Sequence, residues 1–264
     1  MTVEVTTDPE RIAVLVEARL AADPVRATVL GTISLQLHEK RCWCATTPTG
    51  ALAVRSDPAY PACVDGTWTL AELDDLTAEL VRLPQLRGVT GPVAMVTELV
   101  TRLQRQPDRR VALRLFRLDE LRSADDVAGH PRRAADDDRH LVKSWFTAFA
   151  AEAGGTLDHV DQAVAAALAA GGCWLWHTSD DTTVSLAVRR PVVAGSSRIG
   201  PVYTPPEHRG RGYGSAVTAA ATADVLHDGA IPVLFTDLAN PTSNDIYQRL
   251  GYHPVEDRLQ VEFR

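Results

Sequence analysis

The sequence predicts a mixed α/β fold in which helices pack in layers against a sheet. Two observations lead to this prediction. Apolar residues recur at helical spacing in some segments and at strand spacing in others, and the two patterns alternate along the 264 residues. A glycine-rich turn at residues 209–214 joins a strand-like run to a helical one. A hydrophobic content of 45% is enough for a core of ordinary size.

The N-terminal half begins with two predicted helices. Asp8-Pro9 and Asp23-Pro24 each place a capping carboxylate before a proline suited to the first helical turn. Strand-like and helical runs follow. They are strands near 41–47, 50–55 and 60–65, helices at 69–82 and 91–105, and a strand with alternating apolar residues at 111–118.

A charged segment at residues 123–138 is interpreted as a linker. It contains Pro131 and shows no sustained apolar period. The sequence therefore predicts an N-terminal domain at 1–122 and a C-terminal domain at 139–264.

The C-terminal half repeats the element order of the first half. Its predicted elements are helices at about 139–153 and 157–169, strands at 173–178, 183–190 and 198–204, a helix at 215–227, a strand at 231–238, a helix at 242–250, and one or two strands up to 263. The parallel order predicts that the N-terminal half is a degenerate copy of the same fold, because its segment Val64–Trp68 lacks a glycine-rich loop. An unrelated α/β domain is the alternative.

Charge and cysteine content narrow the functional classes. The net charge of −7 without a basic tract argues against nucleic-acid binding. The four cysteines form no CxxC pair, and Cys42 and Cys44 alternate as same-face strand residues do. We expect buried thiols and no metal. No apolar run is long enough to span a bilayer and no secretory signal is visible, so we expect a cytoplasmic protein that is not bound to membranes.

The glycine-rich turn predicts a phosphate site. Gly210, Gly212 and Gly214 lack side chains, so the main chain can approach an anion at the N-terminus of the following helix. Arg209 and Arg211 add positive charge. The turn lacks the Gly-Lys-Ser/Thr ending of a Walker loop. A dinucleotide-binding loop, and a turn without any ligand, remain alternatives at this stage.

Two segments together carry a family resemblance. The run Val202–Gly214 closely resembles the central motif of the GCN5-related N-acetyltransferase (GNAT) superfamily, which is Arg or Gln, two variable residues, Gly, one variable residue, then Gly or Ala. The run Asn240–Tyr252 resembles the second family signature, with Ser three residues and Tyr seven residues after the Asn. The match covers roughly residues 140–264. The whole chain resembles two-domain bacterial members whose first half is degenerate.

The resemblance implies a binding site for acetyl-CoA as cosubstrate. The backbone of a splayed strand would pair with the pantetheine arm and polarise the thioester carbonyl, while the loop amides would hold the pyrophosphate. Two side chains after the next strand would hydrogen-bond the cosubstrate. The implied cofactor-binding residues are Val202, Tyr203, Thr204, Arg209, Gly210, Arg211, Gly212, Tyr213, Gly214, Ser215, Asn240 and Ser243.

The resemblance also assigns a general acid. Tyr247 would protonate the CoA thiolate as it leaves. The alternative is that its ring only packs beside Leu250. The general base is unassigned, because Arg198, Gly200 and Pro201 occupy the positions where many relatives have an acidic residue. The remaining candidates for the base are His177, Asp237 and Glu152.

The implied reaction is transfer of acetyl from acetyl-CoA to a primary amine on a small molecule or a protein. A non-catalytic acyl-CoA sensor would carry the same loop, and an enzyme with a longer acyl donor would too. We expect Trp145, Trp174 and Trp176 to lie in the core rather than to line an acceptor pocket. The acceptor and the oligomeric state are not specified by the sequence.

Overall fold

The computed structural model describes residues 3–37, 41–122, 124, 127–154 and 160–264. These residues form two compact units. The first takes the chain up to Leu115 together with Thr236–Asn240 and Pro254–Arg264. The second takes Phe116–Phe235 and Pro241–His253. Each unit is therefore assembled from segments that are not contiguous in the chain.

The first ten elements are six strands and four helices. They are β1 (Glu4–Thr6), α1 (Pro9–Ala22), α2 (Thr28–Ser34), β2 (Trp43–Thr46), β3 (Leu52–Arg55), β4 (Ala62–Asp65), α3 (Leu70–Arg82), β5 (Gly88–Pro92), α4 (Val93–Leu103) and β6 (Pro107–Leu118). Asp8 caps α1 as predicted, its carboxylate accepting the amide of Glu10.

The next ten elements repeat that order. They are β7 (His130–Arg133), α5 (Arg139–Glu152), α6 (Val160–Ala169), β8 (Cys173–His177), β9 (Thr183–Arg189), β10 (Ser196–Tyr203), α7 (Tyr213–His227), β11 (Ile231–Asp237), α8 (Pro241–Arg249) and β12 (Tyr252–Phe263), with short 3-10 turns before α5 and after β10. The order β-α-α-β-β-β-α-β-α-β thus occurs twice, and the predicted mixed α/β fold and its repeat are confirmed.

The strands of each unit lie side by side in a defined order. In the first unit the order is β1-β2-β3-β4-β5-β12-β6. The last strand of the chain, β12, pairs antiparallel with β5, from Arg258 opposite Pro92 to Glu262 opposite Gly88. In the second unit the order is β11-β10-β9-β8-β7. The parallel β10–β11 pair and the antiparallel pairs beside it give a mixed sheet.

Apolar clusters lie on both faces of β8. Trp174 and Trp176 join one cluster, whereas Cys173 and Leu175 join the other, as strand alternation requires. Trp145 packs in the second cluster and is 9% exposed. The three tryptophans therefore belong to the core, as predicted. All four cysteines are free and buried, which confirms the prediction of buried thiols.

Several boundaries differ from the sequence prediction. The second helix does not start at Pro24, because Asp23 caps a turn by accepting the amide of Arg26, and α2 begins at Thr28. Strands β1 and β5 were not expected. The C-terminal tail is one long strand. Within the predicted linker, residues 130–133 form β7, which pairs with β8. Linker residues 123, 125 and 126 and the predicted helix start at 157–159 lie outside the described residues.

Candidate functional site

Strand β10 separates from β11 in the middle of its length. The two strands pair in parallel from Ser196 opposite Ile231 to Ile199 opposite Leu234. The register between β10 and β9 then shifts between Ile199 and Val202, which is a bulge. Pro201 lies in the bulge and has no N–H to donate to a ladder. The last residues of β10, Val202 and Tyr203, therefore keep their pairing with β9 and lie beyond the paired stretch of β11.

The glycine-rich loop connects β10 to α7. Gly212 has a φ of 80°, in the left-handed region that favours glycine. A Cβ at Gly212 would lie 2.8 Å from Cγ2 of Val127, and a Cβ at Gly214 would lie 3.3 Å from Oγ1 of Thr204. Gly212 is thus required by close packing as well as by backbone conformation, whereas at Gly214 a side chain would be crowded by Thr204 alone. The main chain of the loop is bare where an anion would approach.

Helix α7 begins with an open N-terminus. Its N-cap, Gly212, has no side chain, and among the described residues no side chain caps the helix and no acidic residue lies in its first turn. The first intrahelical bond runs from the amide of Ala216 to the carbonyl of Gly212. The amides of Tyr213, Gly214 and Ser215 thus precede the intrahelical bonding and point out of the helix end. With the helix dipole, this arrangement suits a phosphate group.

Side chains from two other elements hold the end of β10. The Ser185 hydroxyl of β9, which is fully buried, donates to the carbonyl of Tyr203 at 3.1 Å and lies 2.8 Å from Oγ1 of Thr204. Arg209 Nε donates to the carbonyl of Thr204 at 2.9 Å. Arg209 also contacts Glu152 at the end of α5. The residue types alone did not single out Ser185, because a lone serine in an apolar strand gives no sequence signal.

Tyr247 lies on the buried face of α8. It is 8% exposed, and its ring packs against the rings of Phe116 and Tyr252 at centroid distances of 6.4 Å and 6.2 Å. Val202 and Tyr213 pack against the same apolar cluster. Burial raises the pKa of Tyr247 to about 12, so the phenol is neutral at pH 7. Among the described residues its hydroxyl has no hydrogen-bond partner, whereas Tyr252 bonds Thr222 at 2.7 Å.

Asn240 and Ser243 lie around the start of α8. Asn240 is exposed and immediately precedes the helix, and its amide donates to the carbonyl of Asp237 in a turn. Ser243 is half-buried in the first turn of α8. These positions agree with the expected turn-to-helix context, and the cosubstrate contacts of both residues stay a prediction.

The three candidate bases have different surroundings. His177 is 6% exposed, its Nε2 lies 3.2 Å from the Thr183 hydroxyl, and its ring stacks on His130. Burial and the nearby charge of Arg132 lower the pKa of His177. Asp237 accepts the amide of Ala239. Glu152 is ion-paired with Arg209. None of the three has a geometry that selects it as the base.

The described residues contain neither a candidate metal-binding cluster nor a candidate membrane-spanning helix. No group of three or more His, Cys, Asp or Glu side chains among them could hold a metal ion. No helix in the described parts of the chain is long and apolar enough to cross a bilayer.

Known proteins share parts of this sequence and its fold. The family model described as FR47-like protein matches residues 181–261, which include the glycine loop and α8. A comparison with curated proteins finds no match.

Solved structures match over the whole chain. A GNAT-family acetyltransferase from Colwellia psychrerythraea is 12% identical with a TM-score of 0.65, and 100% of each chain is covered. A GCN5-related N-acetyltransferase from Sphaerobacter thermophilus is 15% identical with a TM-score of 0.66, covering 100% of this chain and 96% of that one. A tandem GNAT protein from the clavulanic acid biosynthesis pathway is 13% identical with a TM-score of 0.55, and 98% of each chain is covered. The chain therefore has the fold of the GNAT acetyltransferases, including tandem ones.

Proposed function

We propose that the protein is an N-acetyltransferase that moves an acetyl group from acetyl-CoA to a primary amine. The observation that carries the proposal is the end of β10. There β10 separates from β11, and the loop that follows leads to an uncapped helix N-terminus. An extended pantetheine arm needs a free strand edge, and a pyrophosphate needs unpaired amides beside it. These two features adjoin in the second unit, within what we propose as a catalytic domain at 139–264.

The described residues fit this cosubstrate. In this proposal the backbone of Val202, Tyr203 and Thr204 would offer the strand edge, and the amides from Gly210 to Ser215 would bind the pyrophosphate. Arg211 is exposed and adds positive charge to the loop. Asn240 and Ser243 supply polar groups at the start of α8. Acetyl-CoA brings an activated thioester, so the protein has to bind and orient the reactants and move protons.

Tyr247 is proposed as the proton donor to the departing CoA sulfur. Its phenol is neutral, and no other described residue engages its hydroxyl. A neutral phenol can donate a proton to a thiolate within hydrogen-bond distance. The base that accepts the proton of the amine is left open among His177, Asp237 and Glu152. The four buried thiols accord with the proposed cytoplasmic location.

A thiol-release assay tests this function. The protein is mixed with acetyl-CoA and a panel of small-molecule and peptide amines, and free CoA thiol is followed with time. We expect release that depends on one class of amine. Tight acetyl-CoA binding, measured by calorimetry, without turnover on any amine would favour an acyl-CoA sensor instead. Absence of both binding and turnover would overturn the cosubstrate assignment.

A further inference from the structure

Arg209 opens the glycine loop, yet its side chain is directed to helix α5. Its Nη2 donates to both oxygens of Glu152, at 2.8 Å and 2.6 Å, and its Nε donates to the carbonyl of Thr204 at 2.9 Å. Glu152 is the last residue of α5. One guanidinium thus connects the loop, the end of β10 and the end of α5.

Tyr203 takes part in the same cluster. Its hydroxyl donates to Oε1 of Glu152 at 3.3 Å, and its ring lies under the Arg209 guanidinium at 5.9 Å. The ring also packs against that of Trp145 of α5, at a centroid distance of 6.2 Å. The carboxylate of Glu152 therefore accepts from two groups whose backbones border the proposed binding edge.

We propose that Glu152 and Arg209 form a brace that fixes the end of β10 against α5, so that Arg209 is a positioning residue for acyl-CoA binding rather than a phosphate ligand. This inference rests on the proposed function. The reason for this assignment is geometric. The donors named above are directed at α5 and at the carbonyl of Thr204, and none of them is directed along the loop towards the N-terminus of α7. Holding the carbonyl of Thr204 fixes the peptide planes that would pair with the pantetheine arm.

The brace is worth little to the stability of the fold. Both side chains are 47% exposed, and ion pairs of this exposure contribute little to the free energy of folding. Its effect should therefore appear in ligand affinity and not in the melting temperature. Preorganisation of this kind lowers the ordering cost that binding would otherwise carry.

Calorimetric titration with acetyl-CoA separates the two roles of Arg209. The variants are Glu152→Gln, Arg209→Gln and the double variant, with Glu207→Gln as a control of equal charge change on an exposed turn residue. For the brace we expect about a fivefold loss of affinity in each single variant, no further loss in the double variant, and unchanged melting temperatures. Glu207→Gln should bind like the parent protein.

A phosphate-ligand role predicts a different pattern. Glu152→Gln would then leave affinity unchanged or improve it, because the guanidinium would be released towards the phosphates, and only Arg209→Gln would weaken binding. That pattern overturns the brace and leaves the proposed function intact. If the parent protein itself does not bind acetyl-CoA, the proposed function fails and the brace fails with it.

The exchanged pair Glu152→Arg/Arg209→Glu provides a second check. A brace retains its ion pair in this variant, so affinity should be closer to that of the parent than in Arg209→Glu alone. A glutamate beside the phosphates would instead abolish binding whatever residue stands at position 152. Equal loss in the exchanged and the single variant would overturn the brace.

Discussion

Helices α3 and α7 are each the third helix of their repeat, but the N-terminus of α3 is capped by side chains and that of α7 is not. Helix α3 has a capping box: the carboxylate of Glu72 accepts the amide and the hydroxyl of Thr69 at 2.7 Å and 2.8 Å, and Thr69 Oγ1 accepts the amide of Glu72. Helix α7 begins at Gly212 without a side-chain cap from the described residues. The fold therefore allows this helix end either to be capped by an internal carboxylate, as in α3, or to be left without a side-chain cap, as in α7.

The turns that precede α3 and α7 also differ in how far side chains fill them. Before α3, Trp68 is buried and its indole N–H donates to the carbonyl of Asp65 at 3.1 Å. A Cβ at Gly66 would lie 2.8 Å from Cα of Ala51, so this turn is packed against the residue that precedes β3. Before α7, a Cβ at Gly210 would meet no atom within 4 Å in the described structure. One turn is closed by its own side chains, and the other has free space at Gly210.

Closing α7 in the manner of α3 should have the largest effect. Ser215 holds the third helical position of α7, as Glu72 does in α3. Ser215→Glu places a carboxylate among the loop amides, and we expect about a 100-fold loss of acetyl-CoA affinity because like charges are brought together. Calorimetric titration measures the affinity.

Ser215→Gln is the matched control, because it has the same size without the charge. We expect it to bind far better than Ser215→Glu. The melting temperature of Ser215→Glu should not fall, since a carboxylate in the first turn is favourable to a helix. Equal affinities for the two variants would show that the end of α7 does not bind an anion.

The helices α4 and α8 extend the comparison. The buried residues of α4 are all apolar, namely Val96, Leu99, Val100 and Leu103, whereas the buried residue of α8 is Tyr247. Tyr247→Phe makes α8 apolar like α4. We expect turnover to fall about 100-fold, because the proposed proton donor is lost, while acetyl-CoA affinity stays near that of the parent. Steady-state kinetics with calorimetry measures both.

The pKa of Tyr247 sets a further condition on this test. Burial raises that pKa to about 12, so the folded protein keeps the proton as pH rises past the ordinary tyrosine value of about 10. Turnover should therefore show no loss from Tyr247 ionisation between about pH 7 and 10. Unchanged turnover in Tyr247→Phe would remove this phenol from the mechanism and leave only its packing role.

Opening α3 should have the smallest effect and should alter stability alone. Thr69→Ala removes the N-cap side chain, and we expect unfolding to become easier by about 1 kcal/mol in denaturant titration. Thr67→Ala, at an exposed residue of the same turn, is the control and should change little. Acetyl-CoA affinity should be that of the parent. Reduced affinity in Thr69→Ala would contradict the division of roles between the two helices.

Local sequence patterns were sufficient to predict most elements. Asp8-Pro9 predicted the start of α1, a helical pattern predicted α3, the glycine loop predicted the start of α7, and strand-like runs predicted β8 to β11. Strand β5 was missed because Gly88–Pro92 contains two glycines and a proline, which disfavour strands locally. It is a strand because β12, far along the chain, pairs with it. The prediction of a helix start at Asp23 was wrong, because an aspartate that can cap a helix can also stabilise a turn by the same hydrogen bond.

The sequence by itself determined the glycine loop, the tyrosine of α8 and the repeated order of elements, because each depends on residue types at short spacing. Tertiary structure decided what surrounds them. The Glu152–Arg209 contact joins residues separated by 57 positions, and the support of β10 by Ser185 depends on strand pairing. Such contacts follow from the packing of separate elements, and short-range periodicity carries no information about that packing.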